Sequence, residues 1–354
     1  MTKYLFYFLF LLGLAHHTAY CQEPAYFRSD STGLNLDANS LFDNAGCYIV
    51  GELHDARITP EIKLAFIKYL HERKGVNDVF MEVGHAAAYL YNSYLNTGDT
   101  AFITHPSLVY ASNADGMSFW KRLYEYNSTT GFAIAIHGFD FERMEFVKVL
   151  RLLKPAGKNV PDQLKAVVHY LDTINIARVN GHNLVNSYAR TRHQFQLFKG
   201  DFSSYYGDDF SIADEIMANE NTYEAYKARN ENMYAEVQKQ VSRSKMTSFL
   251  LFAGAAHCNK MDKTSLASRL TVVPVIPKKM LVIAMLCKNC DGIHLNDNDV
   301  HHFSGPKEYC KDKAALDATF RRLKLSKFHA GIISVAKTGF SAENGVDLLI
   351  IADK

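Results

Sequence analysis

The chain contains the sequence CYIVGELH at residues 47–54 and a related sequence, SFLLFAGAAH, at residues 248–257. In both, an apolar and β-rich run is followed by Gly-x-x-His. The apolar run predicts a buried strand, and the glycine allows a sharp turn that places the histidine just beyond the strand. Because ligands bind outside the carboxyl ends of the strands in an open parallel sheet, we expect His54 and His257 to meet in one pocket there.

Strand and helix patterns alternate along the rest of the chain. Helical spacing of apolar residues from about Thr59 and from about His85 predicts helices between the first strands. This alternation is typical of βαβ units, so we predict an α/β fold with a mostly parallel central sheet and flanking helices. The predicted strands are Cys47–Val50, Asp78–Met81, Phe132–Ile136, Phe249–Ala253, Met280–Met285, Ile332–Val335 and Leu348–Ile351.

Residues 160–243 lack strand patterns and show long helical patterns instead. We interpret them as a large helical insertion over the active-site end of a single domain that covers residues 22–354. The alternative is a helical bundle that does not contact the site. Two polar stretches are predicted to have no strands of their own: Glu23–Asn44 as a poorly structured segment, and Lys288–Lys313 as a long surface loop.

Residues 1–21 have the pattern of an export signal. A short basic start is followed by an apolar run that is too short for a typical membrane span, and then by polar and small residues that suit cleavage near Cys21 or Gln22. The alternatives are an uncleaved anchor or a lipid on Cys21, and these are the only membrane associations that we expect. The sequence therefore predicts an exported protein, either periplasmic or secreted.

Export changes the interpretation of the cysteines, because disulfide bonds persist outside the cytoplasm. We expect a bridge from Cys287 or Cys290 to Cys310 across a polar loop, and the sequence leaves the exact pairing open. The alternative is a zinc site formed by these cysteines with a nearby histidine, for which His294, His301 and His302 are the candidates. The six cysteines are Cys21, Cys47, Cys258, Cys287, Cys290 and Cys310.

Charge and missing motifs exclude several classes of function. The formal net charge of +2 comes without a basic stripe or tail, so we expect no nucleic-acid partner and a small molecule or a peptide as substrate. The sequence has no Gly-x-Ser-x-Gly, no Gly-x-x-x-x-Gly-Lys, no Gly-x-Gly-x-x-Gly after a strand and no His-Glu-x-x-His. These absences argue against serine hydrolases, nucleotide enzymes and the common zinc proteases.

Polar side chains follow three of the predicted strands. Glu52 and His54 lie two residues apart in extended backbone and point to the same face, so the carboxylate can orient the imidazole and raise its basicity. Glu82 ends a buried strand without a local cation, and such a carboxylate is suited to bind a water or a cation. Asp140 follows the third strand and is a candidate for substrate binding.

Each of these residues also has a purely structural interpretation. His54 could be a buried histidine bonded to backbone, and Glu82 could stabilise the start of the next helix. Asp140 could form an ion pair, and Arg229 lies in a long helical pattern where a solvated charge is the ordinary expectation.

The order of these motifs resembles the erythromycin esterase-like branch of the superfamily that also contains the haem-binding ChaN-like proteins and the Tiki (TraB-like) proteins. The resemblance spans most of the chain after the signal. It departs from the esterase pattern at Asp55, where a glycine is common, and at Glu236, where an asparagine is expected, and both departures argue against a macrolide substrate. The matching motifs are Gly51-Glu52-Leu53-His54, Met81-Glu82, Gly138-Phe139-Asp140, Arg229 with Met233, and Gly254-Ala255-Ala256-His257.

The resemblance implies catalytic roles for five residues. His54 would act as the general base on a water, and Glu52 and Glu82 would position that water or the base. His257 would lie across the cleft, and Arg229 would extend towards the developing oxyanion.

Three functions remain open at this point. The first is an exported hydrolase that cleaves an ester or a lactone with activated water and without a metal. The second follows the Tiki-like members and is a metal-dependent peptidase or amidase, with His54, Glu82 and His257 as ligands of a divalent metal. The third is an exported protein that binds haem or another ligand. No cofactor other than the possible divalent metal is implied.

Overall fold

The computed structural model describes residues 24–352, except for residues 32, 39, 44, 55, 105–107, 176–180, 221–225, 273–278, 288–289, 294–299, 304–317, 320, 322, 324–329 and 336–344. The predicted export signal, Asp55, Cys310 and His294 therefore lie outside the described residues. No helix within the described ranges combines the length and the apolar character that crossing a membrane requires.

Nine of the described strands form one mixed sheet, in the order β2, β1, β10, β11, β7, β3, β6, β4, β5. The six strands from β11 to β5 are all parallel to their neighbours, and the three at the other side pair antiparallel. The fold is thus α/β with a mostly parallel sheet, as predicted. The strands are β1 (Ala25–Asp30), β2 (Gly33–Asp37), β3 (Cys47–Glu52), β4 (Asp78–Met81), β5 (Ala135–Gly138), β6 (Phe249–Gly254), β7 (Met280–Cys287), β8 (Cys290–Ile293), β9 (Val300–Phe303), β10 (Ala330–Ser334) and β11 (Leu348–Ala352).

Helices cover both faces of the sheet, because the strands alternate their apolar side chains between two hydrophobic clusters. Tyr48 and Val50 of β3 belong to one cluster, and Cys47 and Ile49 belong to the other. The first cluster includes side chains of α1 to α3, and the second includes side chains of α9 and α10. The helices are α1 (Thr59–Lys74), α2 (His85–Thr97), α3 (Ala114–Thr129), α4 (Glu145–Leu152), α5 (Lys165–Thr173), α6 (Gly181–Leu197), α7 (Lys199–Tyr206), α8 (Phe210–Ala218), α9 (Tyr226–Ser244) and α10 (Leu266–Thr271).

The sheet register aligns the carboxyl ends of four neighbouring strands. Glu52 at the end of β3 lies beside Gly254 at the end of β6. Met81 at the end of β4 lies beside Phe252 of β6 and Gly138 of β5. The residues that follow these strands therefore start from the same edge of the sheet.

Helix α9 packs on this sheet through a buried apolar stripe and through polar contacts. Met233, Val237 and Val241 are buried at helical spacing against the strands. The Gln240 side chain donates to the backbone oxygen of Gly138 at 2.7 Å, and Glu236 Oε1 lies 3.0 Å from His85 Nε2 at the start of α2. The helix is thus fixed next to the carboxyl ends of β4 and β5.

The structure corrects three local predictions. The stretch from Glu23 to Asn44, predicted to be poorly structured, contains the antiparallel hairpin β1–β2, whose Phe27 and Leu34 are buried. The polar stretch Lys288–Lys313, predicted as a surface loop, contains the hairpin β8–β9. Strand β5 begins at Ala135 and not at Phe132, because Phe132 has a φ of +60° and belongs to the preceding turn.

Cys287 is joined in a disulfide bond. Its sulfur is therefore not a thiolate, and the predicted zinc alternative loses one of its ligands. Cys258 is a buried free thiol, and Cys47 is buried as well.

Candidate active site

His54 is oriented by Glu52. The Nδ1 atom of His54 lies 3.2 Å from Glu52 Oε1, as the placement of both residues after β3 predicts. Burial would lower the pKa of His54, but the negative charges of Glu52 and Glu82 outweigh it and raise the pKa above its usual value. A proton on Nδ1 is thus shared with Glu52, and Nε2 is the nitrogen that faces the site.

Glu52 is held as an anion by two residues from neighbouring elements. Lys63 Nζ of α1 lies 2.8 Å from Glu52 Oε2, and the Tyr110 hydroxyl donates to Oε1 at 3.0 Å. Burial would raise the pKa of Glu52, but Lys63 and His54 overcome it and lower the pKa to about 2. Glu52 therefore cannot accept a proton at neutral pH, and its role is to orient His54.

Glu82 lies between the two histidines. Its Oε2 atom is 3.6 Å from His54 Nε2, and its Oε1 atom is 3.5 Å from His257 Nε2. The backbone N–H of Gly254 donates to Oε2 at 2.5 Å. Burial would raise the pKa of Glu82, but the two histidines and Arg229 lower it, so the carboxylate is ionised.

Arg229 extends from α9 to the carboxylates that follow β4 and β5. Its Nη2 atom donates to Glu82 Oε1 at 2.6 Å and to Asp140 Oδ2 at 2.7 Å, and its Nε atom donates to Asp140 Oδ1 at 3.0 Å. Asp140 is 1% exposed. The geometry thus favours a role for Asp140 in holding Arg229 rather than in touching a substrate.

His257 is held from α9 as well. Its Nδ1 atom lies 2.6 Å from the side-chain oxygen of Asn230, the residue next to Arg229. His257 itself lies in the turn of 3-10 helix Ala255–His257 that follows β6, as the second Gly-x-x-His motif predicts. One turn of α9 therefore contacts both Glu82 and His257.

His54 is the accessible member of this cluster. Its side chain is 34% exposed, whereas those of Glu52, Glu82 and His257 are almost completely buried. Arg229 is 19% exposed, and none of the described residues accepts a hydrogen bond from its Nη1 atom. A molecule that approaches this edge of the sheet therefore meets the imidazole of His54 before the more buried side chains of Arg229 and His257.

Gly254 is required for the close approach of the two motifs. A Cβ atom at this position would lie 2.6 Å from His54 Nε2 and 3.4 Å from Glu82 Oε2. A side chain at residue 254 would therefore push the imidazole away from the carboxylate. The glycine that was interpreted from sequence as a turn residue also makes room for the other histidine.

The predicted divalent metal does not fit these residues. Both oxygens of Glu82 already accept hydrogen bonds, one from the Arg229 guanidinium and the other from the Gly254 N–H. A cation between Glu82 and the histidines would have to displace the positive charge of Arg229. No group of three or more His, Cys, Asp or Glu side chains in the described ranges is arranged to hold a metal ion.

The sequence predicted six members of the cluster and missed three. His54, Glu52, Glu82, His257, Asp140 and Arg229 are linked by the contacts above. Lys63 was missed, although a lysine within the apolar stretch of α1 was a usable signal. Tyr110 was missed although it lies in an aromatic-rich stretch, and Asn230 gave no signal beyond its place next to Arg229.

Solved structures share this fold over most of the chain. A mutant of the erythromycin esterase EreC in its open conformation matches with a TM-score of 0.58 at 12% identity, covering 88% of this chain and 92% of that one. A succinoglycan biosynthesis protein matches with a TM-score of 0.56 at 12% identity, covering 88% of each chain. A protein from Bacillus cereus matches with a TM-score of 0.53 at 15% identity, covering 88% of this chain and 89% of that one.

No protein-family model matches the chain, and no curated protein matches it significantly in sequence. The matching structures are only 12% and 15% identical to the chain in sequence, so the matches show a shared fold and no more. The structural matches show that the chain has an erythromycin esterase-like α/β fold.

Proposed function

We propose that this protein is a hydrolase that cleaves an ester or a lactone with a water molecule activated by His54. The observation that carries the proposal is the environment of His54, which is one-third exposed and has its Nδ1 atom 3.2 Å from a carboxylate whose pKa is lowered to about 2. A histidine in this arrangement presents an unprotonated Nε2 to whatever enters the site.

The proposed reaction uses the histidine as a general base. Water gives a proton to His54 Nε2 while its oxygen bonds to the carbonyl carbon of the substrate. The imidazolium that forms is stabilised by Glu52 on one side and by Glu82 on the other. The tetrahedral intermediate then collapses, the bond from carbon to the leaving oxygen breaks, and that oxygen takes up a proton.

Arg229 supports the same reaction. In the intermediate, the carbonyl oxygen becomes an anion that needs hydrogen-bond donors placed in advance. Asp140 and Glu82 hold the Nε and Nη2 atoms of Arg229, so the guanidinium is fixed while its Nη1 atom remains able to donate. We therefore propose Arg229 as the oxyanion-stabilising residue.

The fold supports this choice of reaction. Among the proteins of similar architecture, one is an erythromycin esterase by name. Distant fold similarity does not define a substrate, and for this reason the proposal stays with esters and lactones as a class.

A substrate panel tests the proposed reaction. The purified protein is assayed with aryl and alkyl esters, lactones of several ring sizes and peptides of similar size, with and without a chelator. We expect ester or lactone hydrolysis that the chelator does not change. Hydrolysis of peptides alone, or activity that the chelator abolishes, would contradict the proposal.

The pH dependence of hydrolysis should report the base. Since His54 must be unprotonated and its pKa lies above the usual 6.5, we expect kcat/KM to rise with pH through an inflection above 6.5. In Glu52→Gln the neighbouring negative charge is lost, so the inflection should move to lower pH. A profile that Glu52→Gln leaves unchanged would show that another group is the base.

We also propose that the protein is exported. The disulfide bond at Cys287 supports this, because such bonds persist in oxidising compartments. Mass spectrometry of the protein from inside and outside the cytoplasm tests this. We expect the protein outside the cytoplasm to lack residues 1–21. Recovery of the full-length chain from the cytoplasm alone would contradict it.

A further inference from the structure

The two histidines are arranged alike around Glu82 but have different partners at Nδ1. Both direct Nε2 towards an oxygen of Glu82, at 3.6 Å and 3.5 Å. His54 shares the proton of Nδ1 with the carboxylate of Glu52, whereas His257 faces the side-chain oxygen of Asn230. A neutral amide oxygen can accept a hydrogen bond but adds no negative charge.

The contact between Asn230 and His257 defines where the proton of the imidazole lies. At 2.6 Å, Nδ1 and the amide oxygen are in hydrogen-bond contact, and this requires a proton on Nδ1. Asn230 is 0% exposed, and its Nδ2 atom has no hydrogen-bond partner among the described residues. The side-chain contact given for Asn230 among the described residues is therefore the one from its oxygen to His257.

The other nitrogen of His257 lies farther from Glu82 than Nδ1 lies from Asn230. Its Nε2 atom is 3.5 Å from Glu82 Oε1, an oxygen that already accepts from Arg229 at 2.6 Å. A proton is therefore better held at Nδ1 than at Nε2. Of the two nitrogens, Nε2 is the one that can exchange its proton with the site.

We propose that Asn230 is a positioning residue that fixes the proton of His257 on Nδ1 and so makes Nε2 the proton-exchanging atom. This proposal depends on the proposed hydrolysis, because that reaction gives the proton exchange at Nε2 a function. Protonated His257 gives its Nε2 proton to the leaving oxygen as the carbon–oxygen bond breaks and the electron pair passes to that oxygen. His257 is then neutral with its proton on Nδ1, and the proton taken up by His54 restores the starting charge of the site.

The different partners at Nδ1 suit the two histidines to different steps of the proposed reaction. Glu52 favours the protonated form of His54 after it has accepted a proton from water. Asn230 orients His257 through a neutral acceptor and adds no negative charge at Nδ1. Two titratable groups in unlike environments are the usual basis of an acid and base pair.

The proton position can be measured directly by NMR of the protein labelled with ¹⁵N in histidine. Signals of His257 are assigned from their absence in His257→Gln, and their shifts are followed over the pH range in which the protein is folded. We expect Nε2 to lose its proton as the pH rises and Nδ1 to keep it. An Nδ1 that loses its proton, or an Nε2 that keeps it throughout, would overturn the proposal.

Two variants separate positioning from a purely structural role. In Asn230→Leu the acceptor is lost, and we expect the neutral proton of His257 to move to Nε2, with a loss of kcat of up to about 10⁴-fold, the size expected for a catalytic histidine in the wrong tautomer. In Asn230→Asp the acceptor is retained, so Nδ1 should stay protonated. Unchanged His257 shifts in Asn230→Leu would overturn the proposal, as would loss of the Nδ1 proton in Asn230→Asp.

His54 serves as the internal control, because its Nδ1 partner is Glu52 and its signals should be the same in both Asn230 variants. The NMR readout needs no substrate. If the substrate panel shows no hydrolysis while the His257 shifts behave as expected, the proposed reaction is wrong and the role of Asn230 in fixing the proton stands.

Discussion

Replacement of His54 by glutamine is expected to lower ester or lactone hydrolysis by about 10²–10⁴-fold, the usual contribution of general base catalysis. Glutamine is close in size and can still donate to Glu52, but it cannot accept a proton from water. The substitution should be tolerated by the fold, because a third of the His54 side chain is exposed. The measurement is kcat/KM on the best substrate of the panel, with thermal unfolding recorded in parallel.

The matched control is His137→Gln. His137 lies within strand β5, and its Nε2 atom pairs with Asp78 at 2.8 Å. None of the hydrogen bonds, ion pairs or ring contacts given for His137 among the described residues involves His54 or Glu82, and its replacement should leave hydrolysis within about twofold. If both variants keep full activity, His54 is not the base; if both lose it together with thermal stability, the loss reports unfolding and not catalysis.

The sequence was sufficient to predict the parallel part of the sheet and the convergence at its edge. Those strands are continuous apolar runs, a pattern that a strand covered by helices on both faces produces. The hairpin β1–β2 was missed because its short strands are half polar. Only two residues of each strand are buried, Ala25 and Phe27 in β1 and Leu34 and Leu36 in β2, so the stretch resembles a loop in composition.

The residues that contact and orient the side chains of the site were harder to predict than those side chains themselves. Glu52, His54, Glu82 and His257 follow strands, and parallel strands bring such residues to one edge. Lys63, Tyr110 and Asn230 come from helices and turns, and their contacts depend on how each element is rotated about its axis. A single sequence gives the periodicity of a helix, but it does not say which residue meets which strand end.

Positive and negative charges are distributed unequally between the two halves of the site. Lys63 neutralises Glu52, and Arg229 is shared by Glu82 and Asp140. The group formed by Arg229, Glu82 and Asp140 has a net negative charge when both carboxylates are ionised. Burial raises the pKa of Asp140 in spite of Arg229, and the negative charge of Glu82 helps to raise the pKa of His54.

Loss of the buried ion pair between Lys63 and Glu52 should have the largest effect on stability. Both side chains are at most 5% exposed, with Nζ and Oε2 2.8 Å apart. Lys63→Met leaves a buried carboxylate without its main counter-charge, and we expect a decrease of about 3–5 kcal/mol in the free energy of unfolding. Denaturant unfolding at neutral pH measures it, and Lys68→Met, a less buried lysine of the same helix, should cost less than about 1 kcal/mol.

The pH dependence of the stability lost in Lys63→Met tests whether the uncompensated charge of Glu52 is the cause of the loss. Because Lys63 helps to lower the pKa of Glu52 to about 2 from 4.5, the pair stabilises the fold above pH 4.5 and loses its effect as the pH falls towards 2. In Lys63→Met burial should raise the pKa of Glu52, so lowering the pH protonates the carboxylate and removes the uncompensated charge. The difference in stability between the variant and the wild type should therefore shrink in acid.

The double variant Lys63→Met with Glu52→Gln completes the test, since it removes both charges and keeps the volume of both side chains. We expect it to recover most of the stability lost in Lys63→Met, because a well-packed neutral pair can replace a buried ion pair at little cost. Hydrolysis should remain impaired, because glutamine does not stabilise the protonated form of His54. If the double variant were as unstable as Lys63→Met, the loss would come from packing of the lysine chain and not from the uncompensated charge of Glu52. The rings of Tyr110 and Phe252 lie 4.3 Å and 5.0 Å from Nζ.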